Sequence, residues 1–130
     1  MRTNIEKFTE LAARVLLAAL FLISGVGKMS AYGATAGYMT SVGLPGVLLP
    51  FVIATEVLGA AAIILGWKTR LVASLLAGFT LLSAILFHSN FANQVESIMF
   101  LKNVAIVGGF LLLVLRGAGP LSLDGAADGR

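Results

Sequence analysis

Cysteine is absent from this chain and charge is scarce, with Asp, Glu, Lys and Arg together only 12% of 130 residues. Without cysteine the chain itself supplies no disulfide, thiol redox couple, iron–sulfur cluster or thiolate-bound zinc. Its single His is too few for a metal site, so no metal is expected. A soluble domain carries roughly twice this charged fraction, and so few charges cannot cover the surface of a water-exposed fold. Nine Lys and Arg against six Asp and Glu leave a formal charge of +3. That charge forms no concentrated basic block, so no nucleic-acid partner is expected. What the chain has instead is apolar side chains, 58% of the total. That is the composition of a membrane protein, whose first partner is the lipid bilayer.

The apolar residues gather into four runs, about Phe8 to Lys28, Val47 to Trp67, Leu71 to His88 and Ile98 to Arg116. Each is long enough to cross a hydrocarbon core of about 30 Å as a helix rising about 1.5 Å per residue. Backbone in lipid must bond to itself, and no run alternates as a membrane-barrel strand does. The fold class is therefore all-α, an integral membrane four-helix bundle. Arg2 and Lys7 precede the first run as in a signal peptide. Glu6 and Glu10 dilute that region and no A-x-A site follows, so the run is read as a retained span.

Between the second and third runs, Lys68-Thr69-Arg70 leaves room only for a minimal turn and predicts an antiparallel hairpin. The link from Met29 to Gly46 is longer, holds Tyr32 and Tyr38, and ends in the turn signal Gly43-Leu44-Pro45-Gly46. Its middle, from about Ala34 to Val42, predicts a short interfacial helix, either packing across the bundle end or covering a cavity as a lid. The connection from His88 to Val95 is polar, with Asn90, Asn93 and Gln94. The segment after Arg116 contains Gly and Asp and is expected to be disordered. With four spans, Arg2, Lys7, Lys68, Arg70, Arg116 and Arg130 fall on one side, and Lys28 and Lys102 at or just inside the other. That asymmetry predicts cytoplasmic termini.

Arg14, Glu56 and Lys102 lie inside spans. A charge at the centre of a spanning helix costs about 2.5–3.5 kcal/mol on insertion scales, so such groups face the bundle, find partners and are functional candidates. Helical spacing puts Arg14, Ala18, Phe21, Gly25 and Lys28 on one face of the first helix, and Glu56, Gly59, Ala60 and Ile63 on one face of the second. On the third and fourth helices it selects Ser74, Ala77, Leu81, Ala84 and His88, then Lys102, Ala105, Ile106 and Gly109. Small residues on these faces mark close helix contacts. Glu56 is then about 13 Å from the outer end of its helix, and Lys102 about 6 Å from that of its own.

The expectation is one buried acid, Glu56, ringed by two or three bases and opening toward the outer half of the bundle. Arg14 with Glu56 is a candidate structural ion pair fixing helix register. Lys28, Glu56, His88, Asn90, Lys102 and Asn103 are the candidate ligand-binding residues. His88 and Glu56 are the candidate catalytic pair, because a protonatable His beside a ligand carbonyl relays protons as that ligand is reduced. Bases outnumber acids at that end, which suits an electron-rich ligand such as a quinone carbonyl.

The chain also resembles a known family. Ser24-Gly25-Val26-Gly27-Lys28, Tyr38-Met39 and Val42-Gly43-Leu44-Pro45-Gly46 carry the resemblance in the first half, with Glu56 and Gly59. In the second half it rests on Leu86-Phe87-His88-Ser89-Asn90-Phe91, Met99-Phe100-Leu101-Lys102-Asn103 and Gly117-Ala118-Gly119-Pro120-Leu121-Ser122-Leu123-Asp124. In these motifs the chain resembles the DoxX family of small bacterial membrane proteins. The resemblance implies a multi-pass bundle in the bacterial inner membrane, which sets the domain at residues 1–124; by composition residues 125–130 are expected to be a disordered tail. It further implies a component of a quinol oxidase, a thiosulfate–quinone oxidoreductase or another membrane oxidoreductase.

Two functional readings stand side by side. In the first, the chain is a quinone- or quinol-linked oxidoreductase component with no covalent cofactor, its electrons coming from a redox partner subunit or a second substrate. In the second, the same pocket binds or moves a small hydrophobic molecule without chemistry, or the chain scaffolds a membrane complex. A proton-coupled transporter using Glu56 would need a homo-oligomer, for which Gly59, Ala60, Gly108 and Gly109 offer small-residue contacts.

Overall fold

A computed structural model describes residues 3–127. Thr3 opens the first helix, α1 (Asn4–Ser30), through a capping box in which its hydroxyl accepts from the Glu6 N–H at 3.1 Å. That cap starts the helix four residues before the apolar run begins. A second helix, α2 (Tyr32–Ser41), occupies the middle of the long link, and a 3-10 turn at Gly46–Leu48 leads into α3 (Leu49–Leu65). Gly66 in the left-handed region closes α3, with the Trp67 N–H bonded to the Ala62 carbonyl at 2.9 Å. The next helix, α4 (Thr69–Phe87), begins inside the expected Lys68–Arg70 turn, so the reversal is made by Gly66 to Lys68. Asn93 then caps α5 (Gln94–Arg116), accepting from the N–H groups of Val95 and Glu96. This cap also lengthens its helix by four residues relative to the sequence reading.

Among the described residues there is no strand, and α1, α4, α5 and the Gly46–Leu65 segment are each long and apolar enough to cross a membrane. Arg14 reaches the Ile63 carbonyl while Gly25 meets Glu56 and Val57, so α1 and α3 run antiparallel. Likewise α4 pairs with α5, Asn103 meeting Thr80 and Glu96 meeting His88. Ala18, Phe21, Ala60, Ile63, Ala73, Leu76, Ala77 and Phe110 form the core where the two pairs join. Small residues allow that approach: Gly59 packs on Leu76, and Gly109 on Leu17. Large apolar side chains such as Leu16, Ile23, Leu75 and Leu112 remain exposed around the bundle, a surface suited to lipid.

The segment after Arg116, expected to be disordered, folds back across the bundle end and finishes in α6 (Leu123–Ala127). The cause is a missing cap. No side chain at the start of α4 satisfies its first N–H groups, and Asp124 supplies the acceptors from a distance, at 2.8 Å to both Lys68 N and Thr69 N. The Gly66 carbonyl in turn accepts from the Asp124 N–H at 2.9 Å. Residues 1–2 and 128–130, which include Arg2, Arg130 and the end of the expected tail, lie outside the described residues. The start of α1, the α3–α4 turn and the C-terminal segment share one end of the bundle.

Candidate functional site

Toward the opposite end a cavity of about 480 Å³ lies between the two helix pairs. Its walls are mainly apolar, from Leu20 and Phe21 on α1 to Phe79 and Leu86 on α4 and Ile106 on α5. α2 closes it with Met39, which is buried, and Tyr38, whose ring stacks on Phe87 at 5.5 Å. Both expected roles of α2 thus coincide geometrically: it packs across the bundle end and covers a cavity.

One polar pair, Lys28 with Glu56, and the His88 ring of a second face this space. The Lys28 ammonium lies 2.7 Å from Glu56 Oε1, with the Glu56 side chain only 6% exposed, and donates to the Ser24 hydroxyl at 2.7 Å. Gly25 makes the pair possible: a Cβ there would stand 2.7 Å from Val57 Cγ2 and 3.2 Å from Glu56 Cβ. Across the cavity His88 Nδ1 lies 3.2 Å from Glu96 Oε2. Between them Asn103 lines the wall and donates to the Thr80 carbonyl at 3.4 Å.

Of the candidate ligand residues, the structure therefore gathers Lys28, Glu56, His88 and Asn103 around the cavity. It leaves Asn90 and Lys102 exposed and outside its lining. Asn90 falls in the turn beyond α4. On α5 the inward residues are Asn103, Ile106 and Phe110, one position on from the face that placed Lys102 inward. On α4 the face moves one position the other way, with Ala73 and Thr80 buried in place of the exposed Ser74 and Leu81, while Ala77 and Ala84 are buried as expected. Glu56 thus has one base beside it rather than two or three.

The expected ion pair of Arg14 with Glu56 is not formed. Arg14 is fully buried and donates to the Ile63 and Ile64 carbonyls, at 3.1 and 2.9 Å, and to the Leu121 carbonyl. The reason is axial. Glu56 is seven residues, about 10 Å, from Ile63 along α3, and the carbonyls left free at the end of α3 are nearer acceptors. Sequence reasoning also missed Ser24, Tyr38 and Thr80 as site residues. The i, i+4 spacing of Ser24 and Lys28 was the available signal for the first; a stack between α2 and α4 has no local signature.

Four apolar helices around a capped, polar-ended cavity define a small polytopic membrane bundle. The chain belongs to the DoxX family, whose model matches residues 9–89. It is 50% identical to inner membrane protein YqjF of Escherichia coli (strain K12) over 121 residues, covering 93% of each chain. It is 40% identical to inner membrane protein YphA of the same organism, over 88% of this chain and 86% of that one. No solved structure matches. The protein is an integral inner-membrane protein of this family.

Proposed function

We propose that the cavity binds a quinone or quinol and that the protein is the membrane component of an oxidoreductase, its electrons supplied by a redox partner. The observation that carries this reading is the placement of the Lys28–Glu56 pair and of His88, which contacts Glu96 behind it, on one mainly apolar cavity. A quinone head has two carbonyl oxygens on opposite sides of a flat apolar ring. Lys28 on one wall and His88 with Asn103 on another are donors spaced to meet such a head, and the aromatic and aliphatic walls suit its ring. Reduction to the quinol takes two electrons and two protons. Lys28 and His88 are the groups placed to pass protons to the two oxygens, and Glu56 and Glu96 orient them.

The bundle end carrying Lys68, Arg70 and Arg116 faces the cytoplasm in this proposal, so the cavity opens toward the outer side. A second reading, binding of a small hydrophobic molecule without chemistry, is favoured by the leucines that carry the cavity wall out to the bundle surface.

The test is mass spectrometry of the organic extract from protein purified in mild detergent, beside a Glu56→Gln variant. Near-stoichiometric quinone in the wild type, lost in the variant, is the expected result. A lipid or other hydrophobic molecule in its place moves the function to the second reading.

A further inference from the structure

The cavity reaches the bundle surface on two flanks. Between α3 and α4 the rim is apolar, with Leu48 and Leu82 both exposed. Between α1 and α5 it is polar. Near the core these two helices touch where Leu17 packs on Gly109. Toward the outer end they part, and the helix faces that met there continue as Leu20, Ser24 and Lys28 on α1 and as Ile106 and Lys102 on α5. Leu20 and Met99, on opposite sides of the gap, line the cavity and are also 50% and 40% exposed, so the gap is a window onto the bilayer.

Lys102 stands at this window without a charge partner. Lys28 is paired with Glu56 and His88 with Glu96, whereas Lys102 makes no ion pair or hydrogen bond among the described residues. It lies eight residues from the start of α5 and about one helical turn inside the apolar run that begins at Ile98, with its side chain exposed at the bundle surface. An unpaired ammonium within reach of the interface is free to attract an anionic headgroup, and the apolar cavity beside it accepts a hydrocarbon chain.

The geometry points to a lateral portal between α1 and α5 through which a monoanionic single-chain amphiphile, a long-chain carboxylate, enters from the bilayer. Lys102 holds the carboxylate at the rim while the chain lies between Leu20 and Ile106. The portal rests on the reading of the cavity as a ligand site, and adds to it a route and a selecting charge.

The experiment uses the full chain in phosphatidylcholine nanodiscs at pH 8, photolysed with a C16 fatty acid bearing a mid-chain diazirine, or with its methyl ester. Adducts are mapped by mass spectrometry. The acid is expected to label α1 and α5 residues of the cavity about tenfold more than the ester, equivalent to about 1.4 kcal/mol. Lys102→Gln should reduce acid labelling to the ester's level, Lys102→Arg should retain it, and Ile106→Trp should lower both by narrowing the window. Equal labelling by acid and ester overturns the role of Lys102. So does a Lys102→Gln variant that loses an oligomer while labelling like the wild type, since a second copy then covers this face. Displacement of the ester by a decyl-substituted benzoquinone reports separately on the quinone reading. That reading fails if the ester labels the cavity and the benzoquinone does not displace it, whereas labelling by neither probe overturns the portal.

Discussion

Asp124 caps a helix that begins 55 residues earlier, its two carboxylate oxygens accepting from the backbone N–H groups of Lys68 and Thr69 at 2.8 Å each. Beside it, Arg14 takes the last carbonyls of α3 and that of Leu121. Acid and base therefore bind either side of the reversal between α3 and α4, the base the last carbonyls of one helix and the acid the first N–H groups of the next, and the C-terminal segment becomes a clasp on the α3–α4 hairpin.

The clasp is expected to open in acid. Burial raises the Asp124 carboxyl, but hydrogen bonds from Thr69 and Lys68 and the charge of Arg14 outweigh it and hold the group below its ordinary value. A depressed folded-state value means the stabilisation is complete above the unfolded carboxylate value of about 3.9 and is lost as pH falls below it through the folded value. Hydrogen exchange of residues 117–127 should rise in that window, and Asp124→Asn should raise it already at pH 7. Equal protection of wild type and variant at pH 7 would remove the clasp.

Arg14→Met should destabilise the bundle by about 3–5 kcal/mol, since it leaves buried α3 carbonyls without their donor and the acids of that end without their cation. Thermal unfolding in detergent measures this. A companion Glu56→Gln should leave the unfolding of that end unchanged, because Arg14 and Glu56 do not pair.

Lys28→Met should cost about 3–5 kcal/mol by stranding Glu56 in the bundle, and the double variant with Glu56→Leu should recover most of it. A double variant no more stable than Lys28→Met alone would show that the two groups do not act as a pair.

Gly25→Val should separate α1 from α3, since a Cβ already collides with Val57, and lower stability by about 1–3 kcal/mol. Gly78, where an added Cβ meets nothing within 4 Å, is the control. Gly78→Ala should be neutral or stabilising through helix propensity. Both are read by the same thermal unfolding.

His88→Gln and Glu56→Gln should each reduce quinone reduction at least about a hundredfold if these groups relay protons, while retaining the fold by circular dichroism. Unchanged turnover in both would leave a binding module without proton transfer.

The sequence by itself determined the spans, their helical nature and the inward face of α1, where Arg14, Ala18, Phe21 and Gly25 are buried as their spacing requires. These are local quantities: hydropathy, length and a 3.6-residue period act along a single helix. The caps at Thr3 and Asn93 were also legible, and reading them would have corrected the starts of α1 and α5. Only the tertiary structure decided which base meets Glu56. Lys28 has it and Arg14 does not, because antiparallel packing sets Gly25 opposite Glu56 and Arg14 opposite Ile63. The same holds for the faces of α4 and α5, whose apolar residues run nearly all round and leave rotation to be fixed by neighbours such as Thr80 and Asn103. The order of the C-terminal segment depends on N–H groups at the start of α4 that no nearby residue could satisfy, a need that arises only once the hairpin exists.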